Sequence, residues 1–502
     1  MTTSMSHDSR QRFRPLRIAL LAGVPIAAWA CWIALQPADR MLAPDSTLQW
    51  RSLLYDPYDV SAMAQRGMNA ELHRQAGAPA MPKYVPWYSF SRLIEAPRPP
   101  KPRYFLEYPH SLLLLFRAGY WIQPDWQEFK NHPDRIPPGL PDCCYHNIAM
   151  HNPETENQFT IWRFFVVATR FYVSVMALAW LLLIVVLERG YGPGTELSGG
   201  SLLLLLPGAV FFTLNRFDIL PALMTALAFA CLGRRRIVGA GLFLGLATVL
   251  KIYPILFAPL VLRYLWPERR LALRFALAYA TANLLSLAPA LFGDDWRAIS
   301  APYLFQLTRT PEPGLTIYGC ILPVQLAHGL TGAMVRFGAL ATVMLLALAT
   351  PIASMSSLLR RCSLVLIVFV SLAVFYSPQW LLWFAPLLLP LLGGDRRIGK
   401  WVIALDAVTY LTFPIWFFIL SDVGSEITKW FYEFPAGGRD GASDEFLQDI
   451  LTHFGSLLRL ARFVCLGFMT WYIVGGEYPV RTWYDRLRRR IWGAAPALTR
   501  EV

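Results

Sequence analysis

The sequence predicts an all-α polytopic membrane protein: a bundle of roughly twelve transmembrane helices with a long first extracytoplasmic loop. Three observations carry this. Of 502 residues, 55% are hydrophobic and only 16% are charged, whereas a soluble chain carries about a quarter charged residues. The apolar excess is blocked, with runs such as 202–212, 364–375 and 381–392 free of charge. The basic residues behind the net charge of +13 sit between apolar runs and cluster on every second connection. That pattern sets orientation in a membrane, and it argues against a nucleic-acid partner.

In order, residues 1–17 form a basic cytoplasmic N-terminus with Arg10, Arg12, Arg14 and Arg17. Residues 18–36 are a full span rather than a signal-peptide core, and are retained as the first helix. Residues 37–161 form an extracytoplasmic loop, far longer than an ordinary connection. Within it, 61–75 reads as a helix on the membrane surface and 78–102 as an aromatic, proline-rich belt. The apolar stretch 111–122 is too short to cross and reads as re-entrant or interfacial; 123–158 is a polar insert. The bundle occupies 162–476, with extracytoplasmic loops near 293–330 and 421–453. Its spans over 202–214, 219–232, 237–250 and 255–262 are short and alternate in direction. Residues 477–502 are a basic cytoplasmic tail. The protein is thus expected in the cell membrane, multi-pass, with both termini cytoplasmic.

This alternation brings Asp59, Glu107, Arg216, Lys251 and Gln379 to one outer face. The set suits glycosyl transfer there, with an acceptor hydroxyl losing its proton to a carboxylate and cations holding a leaving phosphate. Nucleotide sugars are absent from that side, so the donor is a sugar on a polyprenyl phosphate, its tail lying between helices.

Each candidate has two readings. Asp59 caps the surface helix or acts as base, and the two roles are compatible; Asp56 starts a turn before Pro57 or is the fallback base. Glu107 pairs with Arg103 or Arg216, or orients the acceptor where the chain re-enters the apolar layer. Arg216 and Asp218 form a local ion pair, or Arg216 joins Lys251 in clamping the donor phosphate; Lys251 otherwise snorkels. Gln379, Tyr253, Asp218 and Arg309 are candidate sugar or acceptor contacts, Gln379 being otherwise a helix-bracing amide. Asp406, inside a span, is a functional carboxylate or a bundle hydrogen bond. Cys143, Cys144, His146 and His151 match no common zinc spacing, so no metal site is assigned; Cys143 and Cys144 are either free or oxidised.

These residues fall into short motifs: Asp59-Val60, Glu107-Tyr108-Pro109, Arg216-Phe217-Asp218, Lys251-Ile252-Tyr253-Pro254 and Ser377-Pro378-Gln379-Trp380. In this order they resemble the polyprenyl-phosphate-sugar-dependent glycosyltransferases of the GT-C superfamily. The resemblance is to the bacterial branch similar to phosphatidylinositol-mannoside mannosyltransferase, glycosyltransferase family 87, and covers about residues 55 to 390. It implies a GT-C-like bundle, Asp59 as base, inversion at the anomeric carbon, and no required metal or other cofactor. By family analogy the sugar is mannose, moved onto a lipid or glycan acceptor of the cell envelope. Met63, His110, Trp380 and the long insert 123–158 depart from the family pattern and bear on substrate choice. The rival function is a transporter or lipid flippase. It fits the span count, but the halves show no convincing repeat.

Overall fold

The computed structural model describes residues 14–35, 80–81, 104–105, 115, 118, 156–192, 195, 200–291, 316–318, 321–327, 329–393, 396–412 and 442–477. Twelve α-helices lie among them: α1 (Arg14–Ala34), α2 (Glu156–Glu188), α3 (Pro207–Asn215), α4 (Ile219–Gly233), α5 (Ile237–Leu250), α6 (Ala258–Leu265), α7 (Arg269–Leu291), α8 (Gly329–Ala349), α9 (Met355–Ser371), α10 (Leu381–Leu388), α11 (Arg396–Tyr410) and α12 (Ala442–Glu477). The described residues are mostly helical. A short parallel pair, β1 (Ala80–Met81) with β2 (Tyr104–Phe105), lies in the segment predicted as irregular.

Twelve helices are not twelve spans. Among the described residues, 170–188, 329–349 and 453–476 are long and apolar enough to cross a membrane. A fourth span results if α3 and α4 count as one, although the chain bends by 106° between them. Residues 16–32, 237–250, 253–265 and 378–391 form shorter apolar helices. At 1.5 Å per residue, the nine residues of α3 reach only about 13 Å, well short of a hydrocarbon core of about 30 Å. Conversely, α2 begins at Glu156 and α12 at Ala442, inside stretches predicted as outer loop. Hydropathy marks only the apolar part of a helix, and the helical backbone continues past it.

At one end of the bundle, cations are spent on helix termini. Arg361, buried inside α9, donates to the carbonyls of Ala347 (2.7 Å), Thr350 (2.9 Å) and Pro351 (3.1 Å). It thereby satisfies the C-terminal acceptors of α8, which have no intrahelical partner. Arg263 Nε donates to Leu348 O at 3.0 Å. Arg234 reaches Gly190 O at 3.3 Å, and Arg235 pairs with Glu268 at 2.6 Å. The connections predicted to lie on the cytoplasmic side therefore do meet.

The hairpin α4–α5 places the site. Its helices have 15 and 14 residues, about 22 and 21 Å, so the chain returns to the level at which it left. Residue 251 comes back beside residue 218. The α5 helix is held by a close approach to α7. A Cβ on Gly241 would lie 2.6 Å from Phe275 O and 2.8 Å from Ala278 Cβ; one on Gly245 would lie 2.6 Å from Ala282 Cβ and 2.8 Å from Tyr279 O. This is a small-xxx-small contact of the kind that lets membrane helices touch through their backbones. Thr248 and Tyr279 hydroxyls meet across it at 3.0 Å. Gly245→Val should therefore force α5 off α7 and cost about 1–3 kcal/mol. The check is the unfolding midpoint of the purified protein in detergent, which should fall relative to wild type.

Candidate functional site

Both candidate cations stand where a helix ends. Arg216 follows α3 in an extended conformation (φ −140°, ψ 143°), its N–H still bonded to Phe212 O at 3.1 Å. Lys251 follows α5 in the same way (φ −154°, ψ 136°), its N–H on Ala247 O at 3.0 Å. A positive side chain is favoured there by the negative end of the helix dipole. That local rule accounts for their positions without any ligand; it does not account for where their side chains point.

Asp218 supplies the next constraint. It precedes α4 as the N-cap residue, yet makes no side-chain capping bond. Its carboxylate, 3% exposed, turns into the bundle instead. Trp383 Nε1 donates to Oδ1 at 2.6 Å, and Lys251 Nζ lies 3.5 Å from both Oδ1 and Oδ2. Asp218 of the Arg216-Phe217-Asp218 motif forms a long-range pair with Lys251, braced by an indole. The Lys251 side chain keeps 20% of its surface exposed against 4% for Asp218. An ammonium has three donors, and at 3.5 Å its contact with the carboxylate is longer than a tight charge-assisted bond of about 2.8 Å.

Aromatic rings fill the space around this pair. Tyr253 stacks on Trp383 with centroids 4.1 Å apart and 10° between planes; Trp380 stacks on the other side at 5.0 Å and 28°. The turn Pro378–Trp380 is a single 3-10 turn that begins with proline, which presets its backbone. It buries Gln379 to 5% exposure. The amide Oε1 has no hydrogen-bond partner among the described residues. Phe217 packs edge-on against Tyr172 at 5.5 Å, tying the Arg216-Phe217-Asp218 turn to α2.

The structure thus brings Asp218, Lys251 and Tyr253 into direct or ring contact through Trp383, with Gln379 in the adjoining turn. Arg216 is two residues from Asp218. Asp59, Asp56, Glu107 and Arg309 lie outside the described residues, as do Cys143, Cys144, His146 and His151 and the interfacial helix 61–75; of 111–122, Leu115 and Ala118 are described, and both are helical. Asp406 is resolved as a bundle hydrogen bond. Its oxygens accept from the N–H groups of Gly208 (3.0 Å) and Ala209 (2.7 Å). It caps α3 from a different helix, because Leu206 at the capping position has no side-chain acceptor.

Two buried residues, one in the cluster and one outside it, escaped the sequence reading. Trp383 lies in an uninterrupted apolar run and looks like core; the signal was its indole N–H, which needs an acceptor when buried. Arg462 lies in the apolar part of α12 and was passed over as part of a span, although an intramembrane cation is itself a flag.

Residues 212–431 match the family model described as Mannosyltransferase (PIG-M), a GT-C-type mannosyltransferase family. That stretch contains Arg216, Asp218, Lys251, Tyr253, Gln379 and Trp383, and supports a membrane mannosyltransferase with glycosyltransferase activity. No curated protein matches the chain.

Trp383→Phe retains the ring but deletes the donor to Asp218. It should cost about 1–3 kcal/mol, the penalty for stranding a buried acceptor. The loss should shrink when combined with Asp218→Leu, since the two residues share one interaction. A double-mutant cycle on thermal unfolding in detergent measures both effects.

Proposed function

We propose that the protein transfers mannose from a polyprenyl-phosphate donor to a lipid or glycan acceptor at the extracytoplasmic face of a membrane. The observation that carries this is the Lys251–Asp218 pair inside the stretch that matches a mannosyltransferase family. Lys251 is anchored on one side by a buried carboxylate and is partly exposed on the other, so it offers a positioned positive charge to a phosphate.

In this reading the donor phosphate binds between Lys251 and Arg216. As the bond from the anomeric carbon to the phosphate oxygen breaks, negative charge grows on the phosphate, and the two cations stabilise it. Lysine acts as a point charge and arginine as a two-pronged donor. Asp218 orients Lys251 and limits how far it swings. The buried Gln379 amide oxygen accepts from a sugar hydroxyl, which would satisfy its missing hydrogen bond. Tyr253 and Trp383 form a buried stack beside the Lys251–Asp218 pair, and Arg309 contacts sugar or acceptor.

Asp59 takes the proton of the acceptor hydroxyl as it attacks the face opposite the leaving phosphate, which inverts the anomeric centre. Asp56 is the second choice for that role, and Glu107 orients the acceptor. The prenyl tail lies against the apolar helix faces in the bilayer. No metal is required, because the phosphate charge is met by side chains. The branch similar to phosphatidylinositol-mannoside mannosyltransferase remains the nearest reading of the motif order.

The test is transfer of labelled mannose from polyprenyl-phosphate mannose to a lipid acceptor in proteoliposomes. Wild type should form product. Asp59→Asn should lower the rate by about 10²–10⁴-fold, the usual contribution of a positioned base, with unchanged insertion and thermal midpoint. Full activity in Asp59→Asn would remove Asp59 from the mechanism. Movement of the lipid across the bilayer without any mannosyl product would favour a flippase.

A further inference from the structure

Arg462 is 2% exposed and sits in the apolar part of α12, beyond the stretch that matches the mannosyltransferase family. A cation buried in a membrane helix is costly, so it is retained for a reason. Its guanidinium carbon lies 3.5 Å from the ring centroid of Tyr376 and 4.8 Å from that of Phe463. The Tyr376 hydroxyl meets Thr409 Oγ1 of α11 at 3.4 Å, which fixes the far edge of the ring.

From Tyr376 the contacts run without a break to the ion pair. Tyr376 packs edge-on against Trp380 at 5.9 Å and 79°. Trp380 stacks on Trp383. Trp383 donates to Asp218, and Asp218 pairs with Lys251. The links between Arg462 and Lys251 are three aromatic rings and the short carboxylate of Asp218. A shift at Tyr376 therefore has few ways to be absorbed before it reaches Asp218, because packed interiors transmit displacement rather than dissipate it.

We propose that Arg462 is a positioning residue for the donor site. Its guanidinium, seated on Tyr376, sets the Trp380–Trp383 stack that holds Asp218, and through Asp218 aligns Lys251 for the donor phosphate. The inference rests on the reading that Lys251 binds that phosphate. Arginine suits the contact better than lysine, because a planar guanidinium can stack on a ring as well as attract it, whereas an ammonium only attracts it. The attraction between the cation and the ring face is strongest where water is excluded, as it is here.

The experiment measures KM for polyprenyl-phosphate mannose and, separately, KM for the lipid acceptor, in proteoliposomes. Arg462→Met, Arg462→Lys, Tyr376→Leu and the double variant Arg462→Met/Tyr376→Leu are compared with wild type and with Lys251→Met. Arg462→Met and Tyr376→Leu should each raise the donor KM about tenfold, the scale of a small misplacement of a binding group, and leave the acceptor KM unchanged. The double variant should be no worse than the worse single variant, since both break one contact. Arg462→Lys should not restore the wild-type donor KM. A purely structural role would instead lower the thermal midpoint and leave the folded fraction with wild-type constants. Should Arg462→Met fail to fold, Tyr376→Leu and Arg462→Lys carry the same comparison.

Donor KM within twofold of wild type in the folded variants, or additive losses in the double variant, would overturn the proposal. If Lys251→Met raises the donor KM while the Arg462 and Tyr376 variants do not, the positioning role alone fails. If Lys251→Met itself leaves the donor KM unchanged, the phosphate reading fails and the positioning role falls with it.

Discussion

A carboxylate that water barely reaches must find its donors inside the protein, and Asp218 finds two: the indole N–H of Trp383 and the ammonium of Lys251. Removing Lys251 would leave this buried carboxylate without its counter-charge, at about 3–5 kcal/mol. The local architecture serves that requirement. The near-equal lengths of α4 and α5 bring residue 251 back beside residue 218. The glycines of α5 seat that helix against α7. The Asp218 carboxylate makes no capping bond to α4, and the proline turn before α10 delivers Trp380 and Trp383 as a stacked pair.

The two ends of the bundle use their cations differently. At one end, Arg234, Arg263 and Arg361 give hydrogen bonds to main-chain carbonyls and finish helix ends whose last carbonyls have no donors of their own. At the other, Lys251 is aimed at a carboxylate and keeps a fifth of its side-chain surface open. The first use is structural and closed. The second leaves the Lys251 side chain partly exposed beside a buried stack of aromatic rings. Asp406 shows that a buried acid alone is no sign of chemistry here: both of its oxygens are spent on the N-terminus of α3.

Much of this was legible in the sequence. The helical class and the alternating basic connections followed from blocked hydropathy, and the motifs around Arg216, Lys251 and Gln379 were singled out from charge at the edges of apolar runs. Other features were not legible, for identifiable reasons. Hydropathy cannot tell a short span from half of a broken one, so 202–214 read as a crossing although α3 has nine residues. It also cannot see a helix that continues into polar sequence, as α2 and α12 do. The partners of Asp218 lie 33 and 165 residues further along the chain, and no spacing rule links such positions. Local proximity favoured Arg216, while the tertiary fold chose Lys251 and Trp383. Arg462 was hidden for the opposite reason, being one of two arginines in a run whose average remains apolar.

The account turns on where an anionic donor headgroup comes to rest. The most direct measurement is a structure of the protein with a polyprenyl-phosphate lipid bound. The account predicts phosphate oxygens in salt-bridge contact with Lys251 Nζ and the Arg216 guanidinium, with Asp218 still held by Trp383. A phosphate seated elsewhere, with the Lys251–Asp218 pair turned away from it, would contradict the account.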